Sequence, residues 1–184
     1  MSDAYVPESR WRTAAAAALV GGGLLLAGWA VVRGMSGGGA GGAEVGADVS
    51  RLAFRDVDGN RRTLADYRGK VVLVDVWATW CPPCRRSLPE VADLQKAAGG
   101  GYVVLPISVD EGGWSAVKPF LAQNPQLGLT AYLPDGKAGL APLGEIRGIP
   151  ASFVVDRRGR LVRTWAGYGE GMAKRAVDEA LKLR

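Results

Sequence analysis

The stretch VDVWATWCPPCRRSLPE, residues 74–90, constrains the fold more than any other part of the sequence. The β-branched, apolar run at residues 70–77 predicts a strand that is buried on both faces. A helical pattern follows, with a kink expected at Pro89 and an end at Gly99. Cys81 and Cys84 are the only cysteines of the sequence, and they lie where this buried strand gives way to the helix.

The chain from residue 48 onward alternates strands with helices. A turn signal at Asp58-Gly59-Asn60 separates two short extended pieces, and two further strands are expected to pair through the turn at Arg157 to Gly159. The predicted elements are a central strand at 102–110, a helix at 114–124, the hairpin strands at 151–156 and 160–167, and an amphipathic helix at 171–184. This order predicts an α/β domain with a mixed sheet.

The N-terminal segment is predicted to lie outside that domain. Residues 13–32 carry no charge, and as a helix they would match the thickness of a bilayer core. Arg10 and Arg12 precede this span, which predicts that residues 1–12 stay in the cytoplasm and that the rest is exported. Residues 33–47 are rich in glycine and predict a flexible linker to a domain at 48–184.

Two other interpretations of residues 13–32 stay open beside the uncleaved signal anchor. A cleaved signal peptide is less favoured, because Gly28-Trp29-Ala30 is a poor small-x-small site and the apolar run is long. A buried helix of the folded domain is the least favoured, because the Gly-rich linker separates the span from the rest.

The charge pattern does not predict nucleic-acid binding. The net charge is +5, and the basic residues are scattered along the chain. The densest group, Arg157, Arg158 and Arg160, flanks Gly159 in a predicted solvated turn. Basic residues interleaved with aromatic ones, as nucleic-acid surfaces have them, do not occur.

The spacing of the two cysteines indicates redox chemistry. An exported domain meets an oxidising compartment, but a disulfide that encloses two residues removes little unfolded-state entropy and is a poor staple. A helix N-terminus stabilises a thiolate, so Cys81, at what we expect to be an exposed helix start, is the predicted nucleophile toward disulfides. Cys84 is then the resolving cysteine.

Other uses of the pair are less favoured. Two buried structural thiols are one such alternative. A tetrahedral metal site needs about four ligands, and the sequence has no histidine and no third cysteine. Covalent haem attachment needs histidine after the second cysteine, where Arg85 stands. We therefore expect no metal and no cofactor, and a non-enzymatic copper carrier remains the alternative to an enzyme.

The residues around the cysteines also resemble a known family. VDVWATWCPPC resembles the thioredoxin active site, and the longer segment from GKVVLVDVW to SLPEV is most similar to the TlpA/ResA-like branch of membrane-anchored thiol–disulfide oxidoreductases. The likeness covers about residues 51–184, including TLADYRGK and GIPASFVVD. It implies a thioredoxin-like fold, with a central mixed β-sheet flanked by helices, behind one N-terminal transmembrane helix. The catalytic domain would face the periplasm or the cell exterior.

The resemblance also implies roles for particular residues. Pro150 matches the cis-proline loop that lies against the cysteine pair, and with Ile149 it would pair with an incoming chain. Trp80, Pro82 and Pro83 would complete the substrate-binding surface.

Asp75 is the candidate proton acceptor. Strand alternation places it on the same side as Trp77, where burial should raise its pKa. Thioredoxin has a buried aspartate at this spacing; a strand-end aspartate that faces solvent stays the alternative. The branch often has an acidic residue three positions after the second cysteine, but this chain has Ser87 there, so we assign the proton handling for Cys84 to Asp75.

The expected function is the reduction of protein disulfides. Pro82 and Pro83 have no backbone N–H, so a thiolate at Cys81 is stabilised less, which favours a reductant over a strong oxidant. The resemblance implies cysteines of apo-cytochrome c or of an oxidase copper site as substrates, hence a role in cytochrome c maturation, and a membrane thiol as electron donor. A disulfide-forming oxidase or isomerase is the alternative enzyme.

Overall fold

The computed structural model describes residues 42–183. The predicted cytoplasmic N-terminus, the predicted anchor at 13–32 and the linker before residue 42 lie outside these residues. Of the helices between residues 42 and 183, none combines the length and the apolar character needed to cross a bilayer.

A mixed four-stranded sheet forms the centre of the fold. Its strands are β3 (Val71–Trp77), β4 (Tyr102–Ser108), β6 (Ala151–Val155) and β7 (Leu161–Ala166), in the order β4-β3-β6-β7. β3 runs parallel to β4 and antiparallel to β6, and β6 pairs antiparallel with β7. The predicted α/β domain with a mixed sheet and a late hairpin is confirmed.

A small second sheet, three α-helices and three short 3-10 helices, at Leu64–Tyr67, Pro125–Leu127 and Ala141–Leu143, complete the described part of the chain. Strands β1 (Ala53–Arg55), β2 (Arg61–Thr63) and β5 (Leu133–Pro134) form the sheet in the order β2-β1-β5. The α-helices are α1 (Pro82–Ala97), α2 (Trp114–Gln123) and α3 (Met172–Leu181). α1 carries Pro89 in its interior and ends one turn beyond Leu94, close to the predicted end at Gly99.

The central sheet separates two apolar cores, because every residue of β3 is buried. Val71, Leu73 and Trp77 point to one core, which contains Leu88 and Val91 of α1 and Ala176 and Val177 of α3. Val72, Val74 and Val76 point to the other, which contains Phe54 of β1 and Phe153 of β6. Period-two alternation along a strand with both faces covered explains why the β3 sequence is almost continuously apolar.

The folded domain begins earlier than the boundary predicted at residue 48. Residues 42–47, assigned to the flexible linker from their composition, hydrogen-bond to the domain: Gly42 donates to the carbonyl of Glu145 at 3.1 Å and Gly46 to that of Leu161 at 2.7 Å. Gly144 permits this close approach, because its φ is +71° and a Cβ there would come within 2.7 Å of the Ala43 nitrogen. The composition did not reveal these backbone contacts.

Candidate active site

Cys81 and Cys84 form a disulfide at the start of α1. Cys81 is the N-cap of α1, and its sulfur accepts a hydrogen bond from the backbone N–H of Cys84 at 3.2 Å. Pro82 and Pro83 are the first two helical residues. Since neither has an N–H, Cys84 supplies the N–H of this first turn that reaches the Cys81 sulfur.

The cysteine pair is more covered than the sequence analysis expected. Cys81 was placed at an exposed helix start, but only 3% of it is exposed, and Cys84 is fully buried. Trp80, the preceding residue, is instead 66% exposed. The correction follows from packing: Cys81 joins the core between the sheet and α1, and Trp80 turns outward beside it.

The loop before β6 lies directly against Cys81. The Ile149–Pro150 peptide bond is cis, as the resemblance implied. The Cys81 sulfur lies 3.6 Å from the carbonyl oxygen of Ile149, and in the reduced protein the thiol can donate to that oxygen. Next to this contact an open groove of about 330 Å³ is lined by Trp80, Val109, Arg147, Ile149 and neighbouring residues.

Asp75 is buried on β3, on the face that carries α1 and α3. It is 2% exposed, and strand alternation places its side chain on the same face of β3 as Leu73 and Trp77, as predicted. Its Oδ1 accepts a hydrogen bond from the Ser152 hydroxyl of β6 at 2.9 Å, whereas Oδ2 has no hydrogen-bond partner among residues 42–183. Burial raises the pKa of Asp75 to about 6, against the lowering effect of the Ser152 hydrogen bond. The alternative of a solvent-facing Asp75 is wrong.

A narrow cavity connects Asp75 with the helix that carries Cys84. Asp75, Ser87, Pro150 and Ser152 are among the residues that line it. Ser87 is buried one turn after Cys84, and its hydroxyl donates to the Cys84 carbonyl at 2.9 Å. Ser87, one helical turn after the second cysteine, and Asp75 on β3 therefore line the same cavity. The roles of these residues in proton transfer remain predictions.

Asp110 is a site residue that the sequence analysis did not single out. It is buried just after β4, and its carboxylate accepts hydrogen bonds from the backbone N–H of Thr79 at 2.9 Å and from the Thr79 and Ser108 hydroxyls at 2.6 and 2.7 Å. These bonds fix the turn that presents Trp80 and Cys81. The signal was available, because parallel strands β3 and β4 end at the same edge of the sheet, so an acid just after β4 lies near the end of β3.

Glu90 was also missed, and the pattern gave no signal for it. It occupies an unremarkable surface position in the helical pattern of α1. The structure places it against the same cavity as Asp75 and hydrogen-bonds it to the start of α3.

Comparison with known proteins assigns the chain to a family. The model of the Redoxin family matches residues 44–181. This chain belongs to the Redoxin family.

Individual relatives agree with this membership. The thiol–disulfide oxidoreductase ResA of Bacillus thuringiensis subsp. konkukian is 29% identical over 140 residues, which cover 76% of this chain and 78% of that protein. The crystal structure of a thiol:disulfide interchange protein of the thioredoxin family from Chlorobium tepidum is 29% identical with a TM-score of 0.63, covering 76% of this chain and 98% of that one. The exposed lipoprotein thioredoxin of Streptococcus pneumoniae is 31% identical with a TM-score of 0.55, covering 69% and 97%.

These findings confirm the resemblance and the enzyme class. The Redoxin-family chain has a thioredoxin-like α/β fold and is a thiol–disulfide oxidoreductase of the ResA type. Its Cys81–Cys84 disulfide is a group of the kind that thiol–disulfide exchange uses.

The burial of Asp75 predicts a pH-dependent cost in stability. In the folded protein its pKa is about 6, above the ordinary value of 3.8, so the folded state binds the proton more tightly than the unfolded state. Asp75 therefore lowers the free energy of unfolding only slightly below about pH 4. The loss grows between pH 4 and 6, and above pH 6 it is constant at about 3 kcal/mol. We expect Asp75→Asn to be more favourable for stability at pH 7.5 than at pH 4, by about 2–3 kcal/mol.

Denaturant unfolding of the oxidised protein at both pH values measures this difference. Asp93→Asn, at an exposed position of α1, is the matched control. It should leave the change in unfolding free energy between the two pH values near that of the wild type. If the unfolding free energy of Asp75→Asn changes between the two pH values as much as that of Asp93→Asn, the raised pKa of Asp75 is contradicted.

Proposed function

We propose that this protein reduces disulfides of partner proteins outside the cytoplasm, with Cys81 as the attacking sulfur and Cys84 as the resolving one. The observation that carries the proposal is the placement of Cys81 at the N-terminus of α1, beside the carbonyl of Ile149. The helix end favours a thiolate at Cys81, and the cis-proline loop offers backbone next to it for an incoming chain.

The reaction begins with the reduced protein. The Cys81 thiolate attacks one sulfur of a partner disulfide, a bond forms between them, and the other partner sulfur leaves with the electron pair. Cys84 then loses its proton to Asp75 and attacks the Cys81 sulfur. The Cys81–Cys84 disulfide forms, the partner leaves as a dithiol after taking up protons, and two electrons have passed to it. A thiol donor restores the reduced pair.

The surface around Cys81 is suited to a partner polypeptide. Trp80 is exposed, and Ile149, Val109 and Ile146 line the adjoining groove together with the Arg147 side chain. An extended segment that flanks the partner cysteine can lay an apolar side chain in this groove and pair its backbone with the loop at Ile149 and Pro150. Trp80, Pro82 and Pro83 would bound the other side of that segment.

The substrates and the donor come from the resemblance. It implies cysteines of apo-cytochrome c or of an oxidase copper site, and hence a part in cytochrome c maturation. A membrane thiol–disulfide protein would supply the electrons. Identification of the partner covalently trapped by Cys84→Ser tests these assignments directly.

The direction of electron flow rests on how little the thiolate is stabilised. One backbone N–H, that of Cys84, reaches the Cys81 sulfur within the first turn of α1, because Pro82 and Pro83 supply none. A strong oxidant owes its power to a well-stabilised reduced form, so weak stabilisation favours a reductant.

The reduction potential separates the reductant from the oxidase. We expect a value near that of thioredoxin, about −270 mV, rather than near −120 mV as in a strong oxidant. Equilibration with glutathione buffers, followed by alkylation and mass measurement, gives the value. A potential above about −180 mV would favour the oxidase or isomerase.

The two steps of the reaction should separate by mutation. We expect Cys81→Ser to abolish attack on a model disulfide, and Cys84→Ser to leave attack intact but to trap the mixed disulfide. Asp75→Ala should slow release of the partner by roughly 10²-fold or more, as loss of a general base does, and leave the attack rate within about twofold of wild type.

Stopped-flow measurement of both steps checks this assignment. Asp93→Ala is the control for loss of a carboxylate on the surface. If Asp75→Ala slows attack and release equally, or if it slows neither step, Cys84 loses its proton to a group other than Asp75.

Localisation is proposed from the N-terminal sequence. The uncharged span at 13–32 behind Arg10 and Arg12 would anchor the protein once in the cytoplasmic membrane, with the domain outside. A reporter that is active only outside the cytoplasm, fused after Arg184, should be active, and loss of residues 1–32 should silence it. An inactive reporter on a normally expressed full chain would contradict this topology.

A further inference from the structure

Two carboxylates meet at the cavity behind the cysteine pair. The cavity has a volume of about 10 Å³, close to the space that one water molecule needs, and it is lined by Asp75, Ser87, Glu90, Tyr168 and others. Asp75 lines this cavity, and its Oδ2 atom is buried with no hydrogen-bond partner among the described residues. A proton taken up by Asp75 therefore arrives at a carboxylate that is itself only 2% exposed.

Glu90 separates this cavity from an open groove. The groove has a volume of about 490 Å³ and runs along α1 toward the start of α3. Glu90 and Tyr168 line both the cavity and the groove. Of these two side-chain types, a carboxylate oxygen can accept a proton from a neighbouring carboxylic acid, whereas a phenol oxygen is a far weaker base. Glu90 is thus the carboxylate that borders both the cavity of Asp75 and the open groove.

Backbone hydrogen bonds hold Glu90 at this boundary. Its Oε2 accepts from the N–H of Gly171 at 3.0 Å and its Oε1 from the N–H of Lys174 at 3.3 Å. Gly171 is the N-cap of α3 and has no side chain with which to cap the helix. Glu90 therefore caps α3 from a neighbouring helix, which fixes the carboxylate and also gives it a structural role that any test must separate.

We propose that Glu90 is a proton-relay residue, which passes to solvent the proton that Asp75 takes from Cys84. The inference rests on the proposed function of Asp75. Asp75 as a carboxylic acid gives its proton across the cavity to the Glu90 carboxylate, directly or through one water, and Glu90 releases it into the groove. Both carboxylates end ionised, and no electrons move. Glu90 touches neither sulfur nor partner and acts through Asp75.

The charges around the relay are few. From α1, Glu90 is the charged group that faces Asp75, and its negative charge adds to burial in raising the pKa of Asp75. Around Glu90, the groove is lined by Asp93 of α1, Glu170 of the preceding loop and Lys174 of α3. Lys174 is paired with Asp178 at 2.6 Å.

Glu90→Gln in the full chain tests the relay, because glutamine keeps an oxygen that can cap α3 but carries no proton between sites. We expect partner release to slow by about tenfold at neutral pH, at the lower end of acid–base effects, with attack by Cys81 unchanged. The midpoint of the release rate against pH, near pH 6 in the wild type, should move to lower pH because a negative charge near Asp75 is lost. Asp93→Asn, which removes the same charge from the same helix and groove but not from the cavity, should change neither.

A double variant separates the relay from a structural effect. In an Asp75→Asn background, Glu90→Gln should have no further effect on release, since the relay has nothing to carry. The relay is overturned if Glu90→Gln behaves as Asp93→Asn does, if it slows attack as much as release, or if its effect persists in the Asp75→Asn background. If Asp75→Asn alone slows release and Glu90→Gln does not, only the relay fails. If Asp75→Asn leaves release unchanged, the proposed role of Asp75 fails and the relay fails with it.

Discussion

The burial of β3 on both faces is the constraint on which the rest of the structure depends. Because both faces are covered, the strand can sit between β4 and β6 with an apolar core on each side. Its C-terminal end is thereby fixed in the middle of the molecule, and the chain must turn there to begin α1. Cys81 is at that turn, so the position of the redox sulfur follows from the packing of the central strand.

The same burial gives Asp75 its chemistry. A carboxylate on a strand without access to solvent keeps its proton to about pH 6, which costs stability at neutral pH but supplies a group able to exchange protons there. Ser152, directly across on β6, donates a hydrogen bond to one oxygen, and the other has no hydrogen-bond partner among residues 42–183. Stability and reactivity thus depend on one side chain and oppose each other.

The site around Cys81 is assembled from segments that are distant in sequence. Asp110, after β4, holds Thr79 and so fixes the turn before Cys81. The loop at Ile149 and Pro150 supplies the backbone beside the sulfur. The start of α3 holds Glu90 at the outer end of the Asp75 cavity. Each contact joins a polar group near the cysteines to a different strand end or helix end, and the central sheet brings these ends to one edge.

The sequence by itself determined the elements with strong local patterns. The apolar run of β3, the helix after Cys81, the hairpin of β6 and β7 and the inward direction of Asp75 follow from period, turn residues and alternation, which depend on near neighbours in the chain. Only the tertiary structure decided the burial of Cys81 and the hydrogen bonds between Thr79 and Asp110. It also decided the position of Glu90 on the Asp75 cavity and the contacts of residues 42–47. These depend on groups between 31 and 115 positions apart, from Thr79 with Asp110 to Gly46 with Leu161. Local propensity carries no information on such pairs, because their geometry is set by how the sheet and helices pack.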